Sequence, residues 1–99
     1  MKDAEERIAI GVLNIAQDNK FGLASFKKCR TAIPKIVSLT SDDLAPSTTR
    51  PGEPMWHQIV RNIRCHYQSH GNFIEQGLLE HVPRVGYRIT SKGRAFLSR

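Results

Sequence analysis

Between residues 57 and 62 the sequence gathers His57, Gln58, Arg61 and Asn62. Imidazole, amide and guanidinium heads make directed hydrogen bonds, the chemistry by which side chains address base edges in a duplex groove. For Arg61 and its neighbour Arg64 the plainer alternative is a solvated helix face, and for Asn62 it is an internal brace on the preceding loop. Just upstream, the run Ser47-Thr48-Thr49-Arg50 offers hydroxyls and a guanidinium suited to the phosphate backbone or a groove edge, Arg50 foremost; a mobile surface loop is the competing account. Farther along, Arg84, Arg88 and Lys92 are spaced to place positive charge beside such a groove, where phosphates need neutralising.

Trp56 supports two accounts, core packing or a flat apolar wall for a base methyl group. Removing one methyl from water is worth only about 0.8 kcal/mol, so discriminating a modified base needs several such contacts and a penalty against the wrong base. Glu53 either accepts an amine hydrogen there or stabilises the start of the helix that follows.

Enzymatic chemistry finds little to work with. His66 and His70 stand four apart, but no His-Glu-x-x-His pattern and no further Cys or His set completes a zinc site, so neither metal nor cofactor is expected. Histidine-assisted RNA cleavage needs two groups converging on one phosphate, and His57, His66, His70 and His81 show no spacing that demands it. Nucleophile motifs, phosphate-cradling glycine loops and nuclease carboxylate clusters are absent, and the expectation is a protein that is not an enzyme. Cys29 and Cys65 are too few for a disulfide framework and read as free thiols.

A chain of 99 residues, 39% hydrophobic and 24% charged, accommodates one compact domain. Its formal charge of +6 favours an anionic partner such as nucleic acid. Eight basic residues face six acidic ones up to Arg50, against seven and three from Pro51 onward, where all four histidines also lie. An anion-binding face therefore belongs to the second half. The longest apolar run, Ile8 to Leu13, is far too short to cross a bilayer, and no secretory pattern opens the chain, so a cytoplasmic protein without membrane contact is expected.

The elements that must position these residues can be read from periodicity. Ile8, Val12, Ile15 and Ala16 follow helical spacing between Asp3 and Asn19, with Asp3 and Glu6 placed as a capping box and Gly22 ending the segment. Ser25 caps a second helix sharing Phe26, Cys29, Ile33, Ile36 and Val37 on one face, in which Pro34 predicts a kink or split. Leu39 to Pro54 is a turn-rich loop with room for one helical turn at Asp42 to Leu44. Pro54 suits the first turn of a third helix, whose Trp56, Ile59, Val60, Ile63 and Tyr67 form the clearest apolar stripe in the chain, with Gly71 as its stop. The opposite face carries His57, Gln58, Arg61, Asn62 and Cys65. After a turn at Asn72 to Gln76, strands at Leu78 to Val82 and Tyr87 to Thr90 flank Pro83-Arg84-Val85-Gly86, with Pro and Gly at type I turn positions. Thr90 or Ser91 caps a last short helix.

Three helices, a two-stranded wing hairpin and a short C-terminal helix make an α+β winged helix-turn-helix, here one domain over residues 1–99. In that fold the third helix enters the DNA major groove and the hairpin is the wing. The runs Trp-x-x-x-Val-Arg-Asn-Ile-Arg from Trp56, Gly71-Asn72-x-Ile74-x-x-Gly77-Leu78-Leu79 and Gly86-Tyr87-Arg88-Ile89-Thr90-x-x-Gly93-Arg94 resemble a prokaryotic winged-helix family appended to restriction endonucleases of HNH and PD-(D/E)XK types that cut modified DNA. The resemblance covers chiefly the second half of the chain. It implies a reader of double-stranded DNA carrying N6-methyladenine in a GATC-like context, with a nuclease domain as partner in the parent protein. The alternative is a winged-helix transcriptional regulator or protein-interaction module without methyl specificity.

Overall fold

The computed structural model describes residues 3–99. Asp3 accepts the Glu6 N–H at 2.8 Å and opens α1 (Ala4–Asp18), which buries Ile8, Val12, Leu13 and Ala16 completely and forms the centre of the core. Gly11 lies where α1 crosses α2 (Phe26–Ile36): a Cβ there would fall 2.6 Å from Val37 Cγ2 and 2.9 Å from Ile33 Cδ1, so any larger residue would have to push those side chains aside. The Ser25 hydroxyl accepts the Lys28 N–H at 3.0 Å and caps α2. The helix runs through Pro34 without the expected split, because a proline in the last turn forfeits a single backbone bond before the helix ends at Ile36.

Leu23–Ser25, between the Gly22 turn and that cap, is a strand, β1, which periodicity does not reveal. A segment of three residues has no alternation to read, and its pairing partner lies more than sixty residues away. Thr40 and Asp43 form a reciprocal capping box on the single turn α3 (Ser41–Leu44), close to the expected Asp42 to Leu44, and buried Asp43 takes both hydrogen bonds of Arg7 Nη2 at 3.2 and 3.1 Å.

The expected third helix is α4 (Met55–Cys65), with Pro54 as its N-cap and Trp56, Ile59, Val60 and Ile63 buried. The apolar stripe does not extend to Tyr67, which lies beyond the helix and is 42% exposed under the guanidinium of Arg64. Continuing the helix would require the Ile63 carbonyl to accept the Tyr67 N–H; it accepts Asn72 Nδ2 at 2.9 Å instead. Asn72 also receives the Ile74 and Glu75 N–H groups, so this buried side chain, rather than Gly71 alone, ends the segment.

β2 (Leu79–Val82) and β3 (Gly86–Ile89) form the hairpin, and β1 pairs with the other edge of β3, giving an antiparallel sheet in the order β1-β3-β2. The expected pair of strands is thus a sheet of three. The turn also differs: the Val85 N–H returns to the Val82 carbonyl at 3.0 Å, and Arg84 at its third position has φ 67°, a positive value that a type I turn does not contain. Gly86 serves the sheet, since a Cβ there would sit 2.2 Å from the Ala24 carbonyl oxygen across the strand pair. Thr90 caps α5 (Ser91–Ser98), whose Phe96 ring meets Phe73 edge-on at 5.6 Å. The described residues therefore form an α+β domain of five helices and a three-stranded antiparallel sheet. No helix among them is long and apolar enough to cross a membrane.

Candidate nucleic-acid interface

α4 and the loop before it are one hydrogen-bonded unit. Ser47 N–H donates to the Glu53 carbonyl at 2.7 Å and Met55 N–H to the Ala45 carbonyl at 2.7 Å, which folds residues 45–55 back on themselves. Gln58 Oε1 then collects Ser47 Oγ at 2.6 Å, Thr48 N–H at 3.1 Å, and the hydroxyls of Thr48 and Thr49, each at 3.2 Å. Arg61 grips Glu53 with both terminal nitrogens, at 2.6 and 2.8 Å, and reaches Thr49 Oγ1 at 3.1 Å. Ser47, Thr48 and Thr49 are thereby fastened to the helix, in contrast to the mobile-loop account. The Arg61 hydrogen bonds hold the Glu53 carboxyl below its usual range despite the opposing effect of burial.

This changes which groups face outward. Among the described residues, the amide of Asn62 and the guanidinium of Arg50 make no hydrogen bond to protein. Asn62 therefore does not brace the loop; that work falls to Gln58 and Arg61. Trp56 is 4% exposed and belongs to the core, its ring edge-on to His57 at 4.2 Å. His57 Nδ1 is 4.0 Å from Glu53 Oε2, yet burial, reinforced by Arg30 and Arg61, draws its pKa below the ordinary value. Behind Glu53 and His57 a recess of about 230 Å³ has Phe26, Cys29 and Val60 as its floor and Arg30 and Arg50 on its rim. Arg30 reaches this rim from α2, a placement that only the crossing of α2 and α4 creates.

Tyr87 fastens the hairpin to α4. Its hydroxyl donates to the Val60 carbonyl at 2.6 Å and accepts the Arg64 N–H at 3.2 Å, bridging two backbone groups of one helical turn, and burial pushes its pKa upward. Arg64 Nε donates to His81 Nδ1 at 3.2 Å, and burial together with that neighbouring guanidinium lowers the His81 pKa. The turn bearing Arg84 is tied to the start of α2 by Phe26 N–H to the Val85 carbonyl at 2.8 Å. Arg88 and Lys92 are not brought to this side. His81 and Tyr87 pair across the hairpin and face α4; Arg88, next in the strand, pairs with Glu80 and Leu23 on the opposite face of the sheet. Lys92 lies at the start of α5, its Cδ beside Gly77.

Of the remaining histidines, His66 Nδ1 meets Glu5 Oε1 at 2.6 Å, joining the end of α4 to α1, and His70 is exposed. Among the described residues no cluster of three or more His, Cys, Asp or Glu side chains can hold a metal ion. Cys29 is buried, with its thiol pKa raised to about 12 by desolvation, and Cys65 is exposed, both as free thiols. No protein-family model, curated protein or solved structure matches the chain.

Proposed function

We propose that this chain is a winged-helix module that binds double-stranded DNA, with α4 as the helix laid in the major groove and the β2–β3 hairpin as the wing. The observation that carries this reading is the polar side of α4, where the amides of Gln58 and Asn62 stand one turn apart, with the guanidinium of Arg50 at the neighbouring recess. The order of elements supports it, as do Arg30 on the adjoining rim and Arg84 at a turn tied to α2. Arg30, Arg50 and Arg84 contact phosphates, and the amides address bases.

A narrower clause follows from the resemblance to adenine-methyl readers. The apolar floor of Phe26, Cys29 and Val60 is the place on this side of the molecule that suits a methyl group. Burying one methyl there is worth about 0.8 kcal/mol, a factor of about four in affinity.

Titration with duplexes carrying plain, hemimethylated and fully methylated GATC tests both clauses. Three phosphate contacts imply a loss of roughly 40-fold in affinity between 50 and 200 mM salt. A flat salt response removes the DNA reading. Equal affinity for the three duplexes removes the methyl clause and leaves the DNA reading standing.

A further inference from the structure

We infer that Gln58 reads DNA as a hydrogen-bond donor only, selecting guanine and refusing the adenine pairing that a glutamine side chain otherwise makes. The inference rests on the DNA-binding reading and specifies which base edge α4 accepts.

The orientation of the Gln58 amide is fixed by its surroundings. A backbone N–H can only donate, so the Gln58 atom 3.1 Å from the Thr48 nitrogen must be the oxygen. That oxygen has two lone pairs and already faces the Ser47 hydroxyl at 2.6 Å and the hydroxyls of Thr48 and Thr49 at 3.2 Å each. It has no capacity left for a base. The nitrogen is the reverse case: Nε2 makes no hydrogen bond among the described residues, and no buried side-chain nitrogen or oxygen there lacks a partner, so Nε2 reaches solvent.

Glutamine reads adenine by accepting from N6 while donating to N7. With Oε1 occupied, the first half of that pairing is lost. Guanine presents N7 and O6, two acceptors side by side, and suits the two N–H groups of one amide nitrogen. Thymine offers a single acceptor, whereas cytosine and the N6 side of adenine offer donors that would oppose Nε2. The loop hydroxyls also hold the side chain in place before DNA arrives, which lowers the ordering cost of binding. Asn62, one turn farther along the same face, keeps both halves of its amide free and retains the pairing with adenine that Gln58 has lost.

Selection from a pool of randomised duplexes tests the assignment, using the full chain and Gln58→Glu. A glutamate at this position keeps an oxygen toward the loop hydroxyls and the Thr48 N–H, and turns the outward group from donor to acceptor. The wild type is expected to enrich guanine at one position, and the variant, with its cooperative thermal unfolding retained, to replace that guanine with cytosine. A second measurement needs no variant: 7-deazaguanine at the enriched position should weaken wild-type binding at least about fivefold, because N7 is gone. Adenine enriched at the position the variant alters, a folded variant with unchanged preferences, or indifference to 7-deazaguanine would each overturn the inference while leaving DNA binding intact. A pool that the wild type does not retain overturns the DNA reading and this inference together.

Discussion

At Arg61 two demands compete for one guanidinium. Its charge and its place on the outward side of α4 suit a base edge, but Glu53 already takes both terminal nitrogens at 2.6 and 2.8 Å. A paired, partly buried bidentate bridge of this kind is worth about 1–2 kcal/mol, and Arg61→Ala should remove that stability and uncover a carboxylate facing DNA. The expected outcome is a lower melting temperature together with weaker binding. Glu53→Gln separates the two roles: it loosens the loop, so stability falls, but it frees the guanidinium and deletes a negative charge, so affinity for duplex DNA should rise. Calorimetric melting and a salt-matched titration check both variants; a Glu53→Gln protein that binds more weakly would place the bridge in the DNA contact itself. The residue types of this site are plain in the sequence. The partnership is not, because Glu53 precedes the helix and reaches Arg61 only after the loop folds back.

At the scale of elements, the seam between hairpin and α4 sets where the hairpin stands. Tyr87→Phe deletes two hydrogen bonds of one buried hydroxyl and should cost about 1–2 kcal/mol, on the order of 5–10 °C in melting temperature. Gly86→Ala should cost more than about 3 kcal/mol, because β1 leaves no space for a Cβ at a residue with φ 154°. The packing around α4 also carries a pH dependence. His81, beside Arg64, and His57, among Glu53, Arg30 and Arg61, both have folded pKa values below the ordinary 6.5. The unfolded chain therefore takes up these protons first as the pH falls. The stability they contribute is fully present above about pH 6.5 and is lost as the pH drops through the folded values. Melting temperatures measured from pH 7.5 down to pH 5 should fall, and His81→Gln should fall less; an identical slope in that variant would relieve His81 of the role. Helix starts were legible at this scale because caps are local, as at Asp3, Ser25 and Thr90. The end of α4 was not, because Asn72 decides it from nine residues beyond Ile63.

At the scale of the whole molecule, the excess of positive charge in the second half divides between two faces. Arg84 sits at a turn joined to α2, whereas Arg88 and Lys92 lie away from α4. Arg84→Ala is accordingly expected to weaken binding several-fold and to reduce the salt slope by about one unit, while Arg88→Ala should leave both within a factor of about two. Equal losses from the two variants would show that DNA contacts both faces of the sheet. Sequence spacing places Arg84, Arg88 and Lys92 in one group; strand alternation and the path into α5 pull them apart.

The sequence alone determined the features that depend on near neighbours: the helices with their caps and apolar stripes, the hairpin, and the concentration of hydrogen-bonding side chains before and along α4. Tertiary structure decided the rest, namely β1 as a third strand, the exit from α4 at Cys65, the arrival of Arg30 at the recess, and the free or engaged state of each polar group. The physical reason is range. Propensity and periodicity act over a few residues, but a lone pair or a guanidinium is claimed by whichever group folding brings within about 3 Å, and that group can come from anywhere in the chain.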